Sequence, residues 1–144
     1  MRQRIAHITL LVKDYDEAIE FYTKKLNFNL IQDTFLTDKK RWVLIAPEGS
    51  TESCLLLAKA QNECQIDSIG NQTGGRVFLF LYTDNFTRDY HNLIQKGIKI
   101  IREPKDEEYG RIVVFEDLYG NLWDLIEPKL KLNNNDNTIK NMLY

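Results

Sequence analysis

The chain has 144 residues, of which 43% are apolar and 28% charged, and a net charge of −2 with a pI near 5.7. Such a balance describes one globular domain, or two small modules sharing a core, and excludes the basic face that nucleic-acid binding needs. No apolar run approaches the ~20 residues that span a bilayer. Two cysteines in no CxxC pattern, and no room for a leader before the first strand, predict a reduced, cytoplasmic setting.

The first predicted element is an apolar strand over residues 5–12, which carries one histidine, His7. Asp14 or Asp16 then caps an amphipathic helix with Ala18, Ile19, Tyr22 and Leu26 at helical spacing. The helix ends at Leu26-Asn27-Phe28, where Asn tolerates a left-handed stop. Short strands follow at residues 28–32, 41–45 and 53–58, the last two separated by the turn at residues 47–50. A polar stretch, 61–75, reads as a linker that is flexible at its glycine-rich end, 70–75.

The same order then returns. A strand over 76–82 runs into Asp84 and Asn85, which open a helix built on Phe86, Tyr90, Leu93 and Ile94 and stopped at Gly97. Strands at 98–102, 111–115 and 122–127 complete the second unit. Asp14 and Asp84 lie 70 residues apart, and most boundaries recur at that offset. The organisation is therefore β-α-β-β-β twice: a module at 1–60, the linker 61–75, a module at 76–128, and a polar tail at 129–144. The tail is expected to fray.

Three stretches of the first unit are distinctive: Ala6-His7-Ile8, Asp14-Tyr15-Asp16-Glu17-Ala18-Ile19-Glu20-Phe21-Tyr22 and Leu26-Asn27-Phe28. The second unit adds Phe115-Glu116-Asp117-Leu118-Tyr119-Gly120-Asn121-Leu122-Trp123-Asp124-Leu125. Together they resemble the vicinal-oxygen-chelate superfamily of glyoxalase I, extradiol dioxygenases and bleomycin-resistance proteins. Asn27 replaces the usual glycine, and Asp124 stands where the family carries a longer glutamate. The resemblance implies an α+β, glyoxalase-like fold of two βαβββ repeats, with a cavity enclosed by curved sheets.

In that family metal ligands come from the first and last strand of each unit. The matching positions are His7, a residue near Cys54 (Ser53 or Leu56 in a shifted register), Val77 and Asp124. Val77 cannot bind a metal, so the candidate ligands are His7, Asp124 and Cys54. A divalent ion (zinc, nickel, iron or manganese) is one alternative; the preferred reading has no cofactor and a decayed site, with His7 donating a hydrogen bond to Asp124.

Arg41 and Arg111 are related by the repeat. They suit an anionic ligand at a cavity mouth, or, more plainly, strand-end ion pairs with acids such as Glu107, Glu108 or Glu116. Trp42 and Tyr109 are candidates to stack on a flat ligand. Alternation puts Val77, Leu79 and Leu81 on one face and Phe78, Phe80 and Tyr82 on the other; the resemblance implies that Phe78 and Phe80 pack on the helices, leaving Leu79 to face the ligand. Loops at 36–41 and 103–111 are expected to shape the pocket. No nucleophile elbow or phosphate-cradling loop occurs, and His91 is read as solvent-facing. The expected function is binding of a small aromatic or anionic molecule by a homodimer, with no nucleic-acid or membrane partner. The alternatives are a metal-dependent glyoxalase-like lyase or dioxygenase, and an assembly protein whose pocket has closed.

Overall fold

A computed structural model describes residues 1–129; the asparagine-rich tail otherwise lies outside the described residues. The chain runs β1 (His7–Val12), α1 (Tyr15–Glu20) continued by a π-helical turn (Phe21–Lys25), β2 (Phe28–Thr37), β3 (Lys40–Pro47), β4 (Cys54–Lys59) and α2 (Glu63–Ser68). It continues with β5 (Val77–Tyr82), α3 (Phe86–Gln95), β6 (Ile100–Glu107), β7 (Gly110–Glu116) and β8 (Leu122–Pro128). Two four-stranded sheets result, ordered β1-β4-β3-β2 and β5-β8-β7-β6. In each, the first strand lies parallel to the last and the other pairs are antiparallel. This is the glyoxalase-like architecture of two βαβββ units.

Local chemistry accounts for the helix boundaries. Asp14 accepts from the Glu17 amide and Asn85 from the Arg88 amide, so each unit opens its helix with an acceptor side chain that meets an otherwise unpaired N–H. Both helices end on a left-handed residue, Asn27 at φ 57° and Gly97 at φ 67°, at equivalent places in the repeat.

The two modules share one core. Leu10, Val12, Tyr22, Phe28, Val43, Ile45, Phe115, Trp123 and Leu125 belong to a single buried cluster. Tyr22 and Phe28 of the first module pack on Trp123 of the second, with ring centroids 6.0 and 5.8 Å apart. A polar clamp reinforces the join. Asp117, 4% exposed, accepts from the Tyr22 hydroxyl at 2.6 Å and from the Asn121 side-chain amide at 2.9 Å. Its other oxygen accepts from the Tyr119 and Asn121 backbone amides, both at 2.9 Å. The acidic turn before β8 is thus a closed hydrogen-bonded loop tied across the module boundary.

Three expectations change. First, the linker is not a free tether. It contains α2, capped by Asn62. A Cβ on Gly70 would lie 1.9 Å from the Tyr119 carbonyl oxygen, so only glycine fits there. The Gln72 amide accepts from Leu11 N–H at 2.6 Å and donates to Thr9 C=O at 3.0 Å, occupying the open edge of β1. Second, residues 36–41 and 103–111 are not open loops but the ends of two long hairpins, β2–β3 and β6–β7, and residues of the second hairpin line a cavity. Pro104 has no N–H for a ladder and sits where the β6–β7 register slips, between Arg102 and Lys105. Third, the two sheets curve but do not close: one cavity is lined by the second module and another by the first. Among the described residues no helix is long and apolar enough to cross a membrane.

Candidate functional site

Strand register divides the expected site residues into three groups. His7 and Cys54 are direct partners on β1 and β4 and therefore share a face of the first sheet. The exposed His7 ring meets Trp42 edge-on, with centroids 5.8 Å apart at 78°. Leu44 and Leu56 are partners on the same face. His7, Cys54 and Trp42 thus form one cluster.

Asp124 lies on the other sheet. Its strand partners are Phe80 on β5 and Val114 on β7, which puts the carboxyl between two apolar side chains. It is 7% exposed, and among the described residues its Oδ1 meets no hydrogen-bond partner. Burial pushes the Asp124 carboxyl above the ordinary carboxylate range, and the Arg102 charge offsets this only in part. Beside it opens a cavity of about 290 Å³, lined by β6 and β7 and by Tyr109 in the turn between them. Charged groups at its wall alternate in sign: Arg102, Glu103, Lys105 and Glu107, with Lys105 held to Glu107 at 3.0 Å. Tyr109, 55% exposed, stands in that wall.

The third group faces the helices. Arg41 holds Asp33 through two contacts, 3.0 and 2.6 Å, and Asp16 through one at 2.8 Å. Its guanidinium lies over the rings of Tyr15 and Phe35. Arg111 lies over Phe86 and approaches Asp106 at 3.9 Å. Both arginines therefore serve the helix face of their sheets, with partners other than the glutamates expected, and neither stands at the cavity. Leu79 also leaves the expected group. It pairs with Trp123 and packs against the core, because a bulge between Val77 and Leu79 breaks the alternation. The same bulge turns Phe80 outward beside Asp124, 61% exposed, where the resemblance with unbroken alternation implied a core position. Phe78 still packs on the core, and His91 is exposed as expected.

A divalent ion does not fit this arrangement within one chain. No hydrogen bond or ion pair joins His7 to Asp124, and Val77 pairs with Leu122, not with Asp124. Among the described residues no three His, Cys, Asp or Glu side chains come together, whereas a catalytic site needs about three protein ligands. The residues missed from sequence were Arg102, Ile112 and Val114; Glu103 and Lys105 fall in the segment 103–111 expected to shape the pocket, and an extended β6, concealed by Pro104, brings them beside Asp124.

Comparison with known proteins agrees with the fold. The sequence model of the glyoxalase/bleomycin resistance protein/dioxygenase superfamily matches residues 4–125. An uncharacterized protein of Shewanella frigidimarina is 57% identical over 128 residues, covering 88% of this chain and 95% of its own. The crystal structure of UcmS2 superposes with a TM-score of 0.77 at 30% identity, over 88% of this chain and 99% of its own. TnmS3, an antibiotic binding protein from Streptomyces sp. CB03234, superposes with a TM-score of 0.72 at 26% identity, over 89% and 98%. By repeat, register and match alike, the chain belongs to the glyoxalase/bleomycin resistance protein/dioxygenase superfamily.

Proposed function

We propose that this protein binds a small aromatic molecule at the open face of its second sheet, without a complete metal centre, and does so as a homodimer. The observation that carries the reading is the cavity beside Asp124: a concave, mixed-polarity recess with one buried carboxyl oxygen left unsatisfied and Tyr109 in its wall. Ligand pockets commonly combine apolar lining with a few placed polar groups. The antibiotic-binding character of TnmS3 is consistent with this use of the fold. Anionic ligands are disfavoured, since Arg41 and Arg111 are engaged on the helix face. Exposed Phe35 and Phe80 leave apolar surface for a second copy, and a twofold contact is the commonest closed assembly.

The competing reading, a divalent-metal lyase or dioxygenase, has one observation in its favour: His7 and Cys54 are neighbours on one face. Metal content of the purified protein separates the two. The binding reading expects well under one divalent ion per chain, no change on chelation, and a dimer mass by light scattering. Stoichiometric metal that disappears in a His7→Ala variant would overturn it in favour of the enzyme. A monomer mass would remove the dimer.

A further inference from the structure

The Asp124 cavity also indicates which chemical group its occupant presents. A buried carboxyl oxygen with no donor is costly in a fold, and among the described residues nothing supplies one. The flanking strand partners are a phenylalanine and a valine, neither of which can donate. Arg102 is near enough to act on Asp124 electrostatically, yet makes no hydrogen bond to it. Lys105 is held by Glu107. With Arg102 and Glu103 opposed and Lys105 and Glu107 paired, Asp124 leaves the cavity with an excess of acceptors.

Resting on the binding reading above, we infer that the ligand is an aromatic molecule bearing an N–H donor group, an amidine or arylamine, whose donor engages the Asp124 carboxyl group. The volume of about 290 Å³ suits a ligand of one or two rings. Tyr109 offers a face to a delocalised cation, and exposed Phe80 lies beside Asp124 on the same side of the sheet. An anionic isostere would set its charge against an unmet carboxyl oxygen.

The test uses two probes of equal shape and opposite charge, benzamidine and benzoate. Titration of the full chain, followed by amide chemical shifts, is expected to show saturable benzamidine binding near a Kd of about 1 mM or tighter. Shifts should centre on Tyr109, Val114 and Asp124, and benzoate should leave them unmoved. The Asp124→Asn variant should lose affinity about tenfold, the scale of one charge-assisted hydrogen bond, and Asp124→Leu should lose binding altogether. Retained sheet content by circular dichroism shows that the variants are folded. Benzoate binding as tightly as benzamidine overturns the inference, as does equal benzamidine affinity in a folded Asp124→Asn variant. So does absence of benzamidine binding; if the uncharged, donor-free probe anisole still moves the same amides, only the donor requirement falls and the binding reading stands.

Discussion

Two aspartates seven residues apart in sequence have opposite roles. Among the described residues Asp117 receives four donors, and Asp124 Oδ1 receives none. Removing Asp117 strands the Tyr22 hydroxyl and two backbone amides in the interior, so Asp117→Ala should cost about 3 kcal/mol. Tyr22→Phe, which leaves the backbone donors in place, should cost about 1 kcal/mol. Urea midpoints at neutral pH check both, and equal costs would count against the clamp. Asp124→Asn should instead stabilise the free protein at neutral pH by about 1 kcal/mol. The sign follows from the raised folded-state value of the Asp124 carboxyl. As pH rises through the window above its ordinary value, the folded state holds the proton longer than the unfolded state, so stability falls. The groups that share its cavity are Arg102, Glu103, Lys105, Glu107 and Tyr109, and Tyr82 lies on the same face. The advantage of the amide should therefore shrink as pH is lowered toward the ordinary carboxylate value, and melting curves across that range would show it. An advantage that grows on acidification would contradict the account.

At the scale of elements, Arg41 and Arg111 occupy equivalent places in the repeat and differ in what they hold. Arg41 is 13% exposed, stacks on two rings and chelates Asp33 while reaching Asp16. Its guanidinium fork is the part that matters, so Arg41→Lys should not rescue it. Arg41→Ala should cost about 1–2 kcal/mol, and Arg111→Ala no more than about 0.5 kcal/mol. Chemical denaturation of the two variants side by side decides this; equal losses would refute the distinction. The repeat made much of this scale legible before any coordinates. Helix caps and stops are local chemistry, and Asp14, Asn85, Asn27 and Gly97 stand where that chemistry requires. Pairing is not local. The bulge before Leu79 reverses which aromatic faces outward, and no property of residues 77–82 announces it. The extension of β6 past Pro104 was hidden for a related reason: the strand is charged, bears a proline, and exists through its pairing with β7.

At the scale of the molecule, the family was readable from the closing motif, while the site was not. Asp117, Gly120 and Asn121, the most recognisable residues of that motif, form the turn and its clamp, and therefore report the fold. The cavity depends on β6, β7 and Tyr109, whose sequence carries no such signature. Tyr22, Phe28 and Trp123 make one core of two modules, so thermal unfolding should be a single cooperative transition by both tyrosine and tryptophan probes. Two separated transitions would show the modules to be independent.

The segment between the modules has one place with open space around it. A Cβ at Gly74 or Gly75 would meet no atom within 4 Å, whereas four residues earlier Gly70 is pressed against the Tyr119 carbonyl. A cut between Gly74 and Gly75 would leave Tyr22, Gly70 and Gln72 on one fragment, and Asp117, Tyr119 and Trp123 on the other. The halves, co-expressed as 1–74 and 75–144, should find each other and purify together as a reassembled split protein with the native circular dichroism spectrum. Gly70→Ala in the first fragment should abolish the reunion. The molecule would then be two pieces in covalent terms and one in every other.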